Sequence, residues 1–353
     1  MSGPQGRRTT VLVATPLEPE LVDRLREEVP QAEIVFEPDL LPAPRFPSDH
    51  VGVPFAPTRE QQERFEKLLA GAEVVLGVPG ETPTALRSLV ERAPRLQWLQ
   101  GTAAGAGEQV RAAGLDADAL SRVTFTSSVG IHANQLAEWA VLGLLYFLKD
   151  VPRLMRDKAN RSWPHYPLPE LRGRRVLVVG LGRIGQEVAR SCRALGMHVT
   201  GVRRRPASGD LDHVDAMASV DELAAVVPRC DAVVLALPAT PGTEGMFSAE
   251  LVEAMPDGAI LVNVGRGVTV DEKALIEALR SRRLAGAALD VFATEPLPAD
   301  SPLWELDNVL VSPHTAALSE RENERIVELL IENLHRFLDD RPLVNVVDVE
   351  HFY

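Results

Sequence analysis

Short apolar runs alternate with helix-like stretches along most of the chain. The first series of runs predicts strands at 9–15, 32–37, 72–78, 95–99 and 122–126, with a helix at 20–29 after the first of them. A second series predicts strands at 174–180, 197–202, 231–237, 258–264, 286–292 and 308–313. Since strands that alternate with helices pair in parallel, this pattern predicts an α/β protein with two parallel sheets, the second of them doubly wound.

Four further segments differ from these strands in their pattern. Residues 132–150 predict a long helix, which we expect to be buried or at an interface because its apolar run is about half the length that a bilayer crossing requires. Residues 153–173 are polar and proline-bearing, so they predict a connection, and the prolines within 41–58 predict a loop or an arm. Apolar residues at helical spacing predict a last helix at 320–340, which we expect to complete the layer around the first sheet.

Length and composition narrow the class of protein. The 353 residues are enough for two domains, and the formal net charge of −13 argues against a nucleic-acid partner, which would require a basic surface. Cys192 and Cys230 lack the spacing of metal ligands, so we expect two buried thiols, no metal site and a reducing, cytoplasmic location. We also expect no signal peptide, because the polar start leads directly into the first strand.

A glycine pattern follows the first strand of the second series. Gly180, Gly182 and Gly185 form G-x-G-x-x-G between an apolar run and a helical stretch. The first glycine permits a tight turn, the second lets the backbone approach a pyrophosphate, and the third lets the helix pack closely on the sheet. The amides at the helix start, near Arg183 and Ile184, would then bind anionic oxygens of a dinucleotide.

Three consecutive arginines follow the next strand. In dinucleotide-binding proteins that use NAD, a carboxylate at the position of Arg203 holds the ribose hydroxyls, whereas an arginine pairs with a 2′-phosphate. Arg203, Arg204 and Arg205 therefore predict a preference for NADP(H) over NAD(H). The alternative is a solvated basic turn on a protein that uses NAD(H).

Four polar residues follow the later strands. Arg266, Asp290, Glu295 and His314 come at or just after the strands at 258–264, 286–292 and 308–313. Because the carboxyl ends of parallel strands form the ligand crevice of an open sheet, we expect these side chains to converge there. Singly, each has a simpler interpretation: Asp290 as a turn cap, Glu295 as a solvated loop residue and His314 as a structural histidine.

Several motifs in the second half of the chain occur together in one known family. VVGLGRIGQEVA, LPATPGTEGMF (237–247), GAILVNVGRG (258–267), ALDVFATEPLP (288–298) and SPLWELDNVLVSPHTA (301–316) follow one another colinearly. With these motifs the chain resembles the D-isomer-specific 2-hydroxyacid dehydrogenase family. The resemblance implies two Rossmann-like domains. A flavodoxin-like substrate domain, 1–128 with 318–353, would be interrupted by an NAD(P)-binding domain at 129–317, and the helix at 132–150 would pack across the twofold axis of a homodimer.

The resemblance also implies roles for individual residues. Arg266 would bind the substrate carboxylate and polarise the carbonyl, His314 would be the general acid and base, and Glu295 would orient His314 and favour its protonated form. Asp290 would contact the nicotinamide carboxamide, and backbone amides near Ala104 and Gly105 would hold the substrate carboxylate. The remaining residues expected to line the cofactor are Leu237, Pro238, Thr243, Val264 and Gly265.

The implied activity is hydride transfer between NAD(P)H and a small 2-oxoacid or D-2-hydroxyacid, with glyoxylate or hydroxypyruvate as the expected substrate. We expect phosphoglycerate oxidation to be the less favoured activity, because we expect no additional regulatory domain after residue 340. Formate oxidation is disfavoured because Glu295 stands where that branch has glutamine. A dinucleotide-sensing protein of the same fold, without turnover, is the alternative from another class.

Overall fold

The chain folds into two compact units. The structure is a computed structural model that describes residues 8–203, 211 and 213–350. The first unit comprises Met1–Ile131 with Leu318–Tyr353, and the second comprises His132–Ala317, so the second is inserted into the first. The predicted fold class, an α/β protein with two parallel sheets and one domain inserted into the other, is confirmed.

The described residues form twelve strands. Five belong to unit 1: β1 (Thr9–Val13), β2 (Ala32–Val35), β3 (Val74–Leu76), β4 (Trp98–Gln100) and β5 (Thr124–Thr126). Seven belong to unit 2: β6 (Arg175–Val179), β7 (His198–Val202), β8 (Ala216–Ala218), β9 (Ala232–Leu235), β10 (Ile260–Asn263), β11 (Gly286–Leu289) and β12 (Val309–Val311).

The described residues also form twelve α-helices, of which the first five and the last lie in unit 1. In chain order they are α1 (Pro19–Glu28), α2 (Arg59–Gly71), α3 (Pro83–Arg92), α4 (Ala106–Ala113), α5 (Ala117–Arg122), α6 (Ala133–Leu148), α7 (Val151–Ala159), α8 (Arg183–Ala194), α9 (Leu223–Val226), α10 (Ala249–Ala254), α11 (Glu272–Arg280) and α12 (Glu322–Leu338). None of the described helices combines the length and the apolar character that a membrane span needs.

All strands in both sheets pair in parallel. The order in unit 1 is β2-β1-β3-β4-β5, which is the flavodoxin-like order. The order in unit 2 is β12-β11-β10-β9-β6-β7-β8, which is the Rossmann order extended by one strand. The direction of winding in unit 2 reverses between β6 and β9, and the carboxyl ends of strands at such a point form the usual ligand crevice.

Alternate residues of each strand enter opposite sides of the core, as the pleat of a strand requires. In unit 1, Leu12 of β1 packs on one side of the sheet with residues of α3, while Val11 and Val13 pack on the other side. The second side also receives Ile326 and Leu330 of α12. The prediction that the last helix completes this layer is therefore confirmed.

The structure differs from the sequence predictions in two details. The stretch after residue 150, predicted to be a connection, begins with α7, because Pro152 lies in the first turn and Asp150 caps it by accepting a hydrogen bond from the Arg153 amide. The three-residue strand β8 was not predicted, since its sequence, AMA, has little β propensity and its position depends on pairing with β7.

Candidate active site

The glycine turn after β6 has the backbone geometry that phosphate-binding turns require. Gly180 has φ +100°, a conformation that glycine adopts without strain. A Cβ on Gly185 would lie 1.8 Å from the carbonyl oxygen of Gly180, so only glycine lets α8 start this close to the strand. A Cβ on Gly182, in contrast, would meet nothing within 4 Å. The exposed backbone at Gly182 is therefore open to a ligand.

The start of α8 fits an anionic group. Gly182 is its N-cap residue and contributes no side-chain cap, and the helix begins with Arg183 and Ile184. The amino end of a helix carries partial positive charge and backbone donors, so this turn suits the pyrophosphate of a dinucleotide. Arg203, half-buried, directly follows β7. Arg204 and Arg205 lie outside the described residues.

The other residues expected to line a cofactor lie on neighbouring turns. A Cβ on Gly265, after β10, would come 2.5 Å from the carbonyl oxygen of Leu237, after β9, so these two turns touch through their backbones. The Thr243 hydroxyl donates to the Pro238 carbonyl over 2.6 Å and so closes the turn that follows β9. Val264 is 3% exposed and pairs through its amide with the Leu235 carbonyl at 3.0 Å.

Two buried polar side chains shape the turn that carries Arg266. Asn263, the last residue of β10, donates to the Arg266 carbonyl over 3.1 Å and accepts from the Gly265 amide over 3.0 Å. Thr269 donates to the same Arg266 carbonyl over 2.6 Å. The main chain of Arg266 is thus fixed, while its half-buried guanidinium donates to the Gly265 carbonyl over 2.9 Å.

Asp290 lies beneath the turn that carries His314. The side chain is 1% exposed, and its Oδ1 accepts hydrogen bonds from the Ser312 hydroxyl at 2.6 Å and from the Thr315 and Ala316 amides at 3.0 Å each. This carboxylate therefore caps the turn, which is the simpler of its two interpretations. Contact between Asp290 and a nicotinamide carboxamide stays a prediction.

Glu295 and His314, two residues of the expected catalytic set, contact each other through their side chains. The Nδ1 atom of His314 lies 2.8 Å from Oε2 of Glu295, and Oε1 of Glu295 accepts from the Phe292 amide at 3.0 Å. The second contact holds the carboxylate in place. With side-chain exposures of 44% for His314 and 34% for Glu295, the pair is accessible at the carboxyl edge of the unit 2 sheet.

The arginine turn and the histidine pair share this edge. A Cβ on Gly267, the residue after Arg266, would overlap the Phe292 backbone, with 1.8 Å to its carbonyl carbon. Phe292 in turn holds Glu295. Since β10, β11 and β12 are adjacent and parallel, Arg266 and the Glu295–His314 pair lie on neighbouring loops. A cation and a paired imidazole at one edge can stabilise charge on an oxygen and transfer a proton to it.

In unit 1, the predicted substrate residues lie between β4 and α4. Gly105 is the N-cap residue of α4, and Ala104 precedes it, both half-buried. Ser128 holds the main chain just before Ala104. Its hydroxyl donates to the Gly101 carbonyl at 2.8 Å, and its amide donates to the Ala103 carbonyl at 3.2 Å.

Sequence reasoning did not single out the polar residues that support these loops. Asn263, Thr269 and Ser312 are at most 6% exposed and contact the turns of Arg266 and His314. For Asn263 and Ser312 the signal in the sequence was a polar side chain at or just after the end of an otherwise apolar strand. Which backbone atom each would contact depends on packing that local sequence does not specify.

The comparisons with known proteins agree with this architecture. Residues 141–316 match the family model for the D-isomer specific 2-hydroxyacid dehydrogenase, NAD binding domain. A glyoxylate reductase from Korarchaeum cryptofilum is 38% identical over 234 residues, which are 64% of this chain and 69% of that protein. The structure of an NADPH-dependent glyoxylate/hydroxypyruvate reductase from Sinorhizobium meliloti superimposes with a TM-score of 0.76 and 27% identity, covering 98% of this chain and 100% of that one.

A D-3-phosphoglycerate dehydrogenase from Archaeoglobus fulgidus is 34% identical over 235 residues, which are 65% of this chain. The match covers 44% of that dehydrogenase, and 54% of a second phosphoglycerate dehydrogenase. The chain thus spans about half the length of these two relatives.

Proposed function

Because this chain belongs to the D-isomer-specific 2-hydroxyacid dehydrogenase family, we propose that it is an oxidoreductase that reduces small 2-oxoacids to D-2-hydroxyacids with NADPH as the preferred reductant. The observation that carries this proposal is the 2.8 Å contact between His314 and Glu295 beside the Arg266 turn. Glyoxylate and hydroxypyruvate are the substrates we expect, in keeping with the names of the Korarchaeum and Sinorhizobium relatives.

The chain's own residues supply three groups: His314 the acid, Glu295 the carboxylate that orients it, and Arg266 the cation. An ionised carboxylate only accepts hydrogen bonds, so Nδ1 of His314 donates to Glu295, and Nε2 is left to give a proton to the substrate carbonyl oxygen. Arg266 stabilises the negative charge that grows on this oxygen and binds the substrate carboxylate. A nicotinamide dinucleotide, when bound, supplies the hydride for the carbonyl carbon. In the oxidative direction, His314 takes the hydroxyl proton back.

Unit 2 is, in this proposal, the NAD(P)-binding domain, and unit 1 is the substrate domain. The turn with Gly180, Gly182 and Gly185 holds the pyrophosphate, and the turns after β9 and β10 line the nicotinamide half. In unit 1, the amides of Ala104 and Gly105 bind the substrate carboxylate at the start of α4.

The preference for NADP(H) rests on the arginines after β7. Arg203 occupies the position at which a carboxylate would hold the ribose hydroxyls of NAD, and a guanidinium pairs with a 2′-phosphate instead. The Sinorhizobium relative is an NADPH-dependent enzyme whose structure contains NADP, which supports the same preference here. Steady-state KM values for NADPH and NADH test this preference, and a lower KM for NADH would contradict it.

A homodimer is part of the proposal, because large apolar side chains are exposed on one stretch of unit 2. Leu142 of α6 is 50% exposed, Met155 of α7 is 57% exposed, and Trp163, which follows α7, is 89% exposed. We propose that a second copy of the chain covers these apolar side chains. A molar mass of one chain by light scattering would exclude the dimer. We also propose a cytoplasmic location, since both cysteines are free thiols, as is usual in reducing compartments.

A screen of 2-oxoacids with each cofactor tests the central proposal. Loss of absorbance of the reduced cofactor with glyoxylate or hydroxypyruvate, and formation of the D-hydroxyacid, are the expected results. Turnover with none of the acids would favour the dinucleotide-sensing alternative, which retains cofactor binding without catalysis.

Phosphoglycerate oxidation is a second candidate, favoured by the 34% identity to the Archaeoglobus dehydrogenase. The same residues would serve, with His314 acting as the base. Reduction of NAD or NADP in the presence of D-3-phosphoglycerate, at a higher kcat/KM than the reduction of hydroxypyruvate or glyoxylate, would favour this activity over the first.

A further inference from the structure

A buried hydroxyl connects the proposed substrate loop of unit 1 to the neighbouring turn. Thr102 follows β4, precedes Ala104 and Gly105 by two and three residues, and is 2% exposed. Its hydroxyl donates a hydrogen bond to Oε1 of Glu81, on the turn that follows β3. Hydrogen bonds of this kind, from a hydroxyl to a carboxylate, are stronger than those between neutral groups.

The turn that presents Glu81 has an unusual backbone. Gly80 has φ +67° and Glu81 has φ +49°, and the Glu81 amide donates to the Val78 carbonyl at 2.9 Å. The left-handed conformation costs a residue other than glycine free energy, and such residues persist where the surrounding contacts hold them. The contact with Thr102 provides one reason for this conformation at Glu81.

The loop is supported from both sides. Ser128, after β5, holds the carbonyl groups of Gly101 and Ala103. Glu81, after β3, holds the Thr102 side chain between them. Since β3, β4 and β5 are adjacent in the sheet, the two supports lie on opposite sides of the loop. Of these two supports, Glu81 is the charged one, and it contacts the residue two positions before Ala104.

We infer that Glu81 is a positioning residue that acts through Thr102 to align the amides of Ala104 and Gly105 for the substrate carboxylate. The inference rests on the proposed function of this loop. Glu81 repels an anionic substrate by its charge, so its benefit comes from the hydrogen bond that its oxygen accepts. An uncharged acceptor at this position therefore serves as well as the carboxylate.

Paired substitutions distinguish the effect of losing the hydrogen bond from the effects of changing the charge or the volume of the side chain. Thr102→Val and Glu81→Ala remove the donor or the acceptor, whereas Thr102→Ser and Glu81→Gln each retain it. For the first two, KM for the 2-oxoacid should rise about tenfold, as expected for a lost charge-assisted hydrogen bond, with a smaller change in kcat and an unchanged Kd for NADPH. For the other two, KM should stay within about twofold of the wild-type value, or fall for Glu81→Gln as repulsion is removed.

Amide hydrogen exchange of residues 102–106 in the free protein gives a readout that does not depend on turnover. Thr102→Val should speed exchange in this segment, and Thr102→Ser should leave it unchanged. If Thr102→Val changes neither exchange nor KM, or if Glu81→Gln raises KM as much as Glu81→Ala, the inference is overturned. If the wild type turns over no 2-oxoacid, the proposed function fails, and exchange alone then decides whether Glu81 and Thr102 hold the loop.

Discussion

The amide of His314 donates a hydrogen bond to the Asp290 carbonyl over 2.9 Å, while the carboxylate of Asp290 caps the two residues that follow His314. Both the main chain and the side chain of Asp290 thus hold the histidine turn. His314 itself has φ +54°, in the left-handed region, so its conformation depends on such support. The exposed imidazole therefore projects from a fixed backbone toward Glu295.

Asp290→Ala should lower both the stability and the activity of the protein. The substitution leaves the Thr315 and Ala316 amides and the Ser312 hydroxyl without their buried acceptor, at a cost of about 2–4 kcal/mol in the free energy of unfolding. Asp290→Asn retains an acceptor oxygen and should lose less. Denaturant unfolding and kcat measure the two effects, and an Asp290→Ala protein as stable as the wild type would contradict this role.

His314→Gln should abolish most turnover while NADPH still binds. Removal of a general acid lowers kcat by about 10²- to 10⁴-fold. Glu295→Gln should cost less, because the imidazole remains but loses its charged partner. His198→Gln, at the amino end of β7 and exposed, is the matched control and should retain wild-type kcat. Near-normal turnover of His314→Gln would refute the role of His314.

Glycine substitutions in the turn after β6 should separate folding from dinucleotide binding. Gly185→Ala forces a Cβ against the Gly180 carbonyl and should destabilise the protein by about 1–3 kcal/mol or more. Gly182→Ala meets no protein atom within 4 Å, so its melting temperature should stay near that of the wild type while NADPH binding weakens. Gly71→Ala, at the end of α2 in unit 1, also meets nothing within 4 Å and should leave NADPH binding unchanged. Unweakened NADPH binding to Gly182→Ala would contradict the proposed cofactor position.

His50, in the proline-rich segment, should make unit 1 sensitive to acid. Burial lowers the pKa of His50, against the opposing effect of the nearby carboxylates of Glu81, Glu322, Glu18 and Asp49. The unfolded state then binds a proton at a higher pH than the folded state does. The contribution of His50 to stability is therefore present above its unfolded pKa, about 6.5, and is lost as the pH falls through the folded pKa.

The slope of this loss is at most about 1.4 kcal/mol per pH unit for one proton. Denaturant unfolding at several pH values between about 7 and 5 measures it, with His50→Gln as the comparison. The wild type should lose more stability than the variant over this range. Identical slopes would mean that His50 binds its proton equally well in both states.

Local sequence determined the features that depend on neighbours along the chain. The apolar runs predicted both parallel sheets, because a buried strand consists mostly of apolar side chains that can be recognised in the local sequence. Gly180, Gly182 and Gly185 indicated a phosphate-binding turn for a similar reason, since the φ angle and the missing Cβ are properties of single positions. The family motifs added the expected pairing of Glu295 with His314, which are 19 residues apart and meet at 2.8 Å.

Only the tertiary structure decided which polar groups support the functional loops. That Asp290 caps the His314 turn, or that Glu81 accepts from Thr102, depends on where separate strands end relative to one another. A hydrogen bond requires a donor and an acceptor to match within a few tenths of an ångström, whereas a hydrophobic pattern specifies only which face of an element is buried. The sequence by itself therefore determined the two sheets and the residue types at their carboxyl edges, and packing decided the contacts that hold those residues in place.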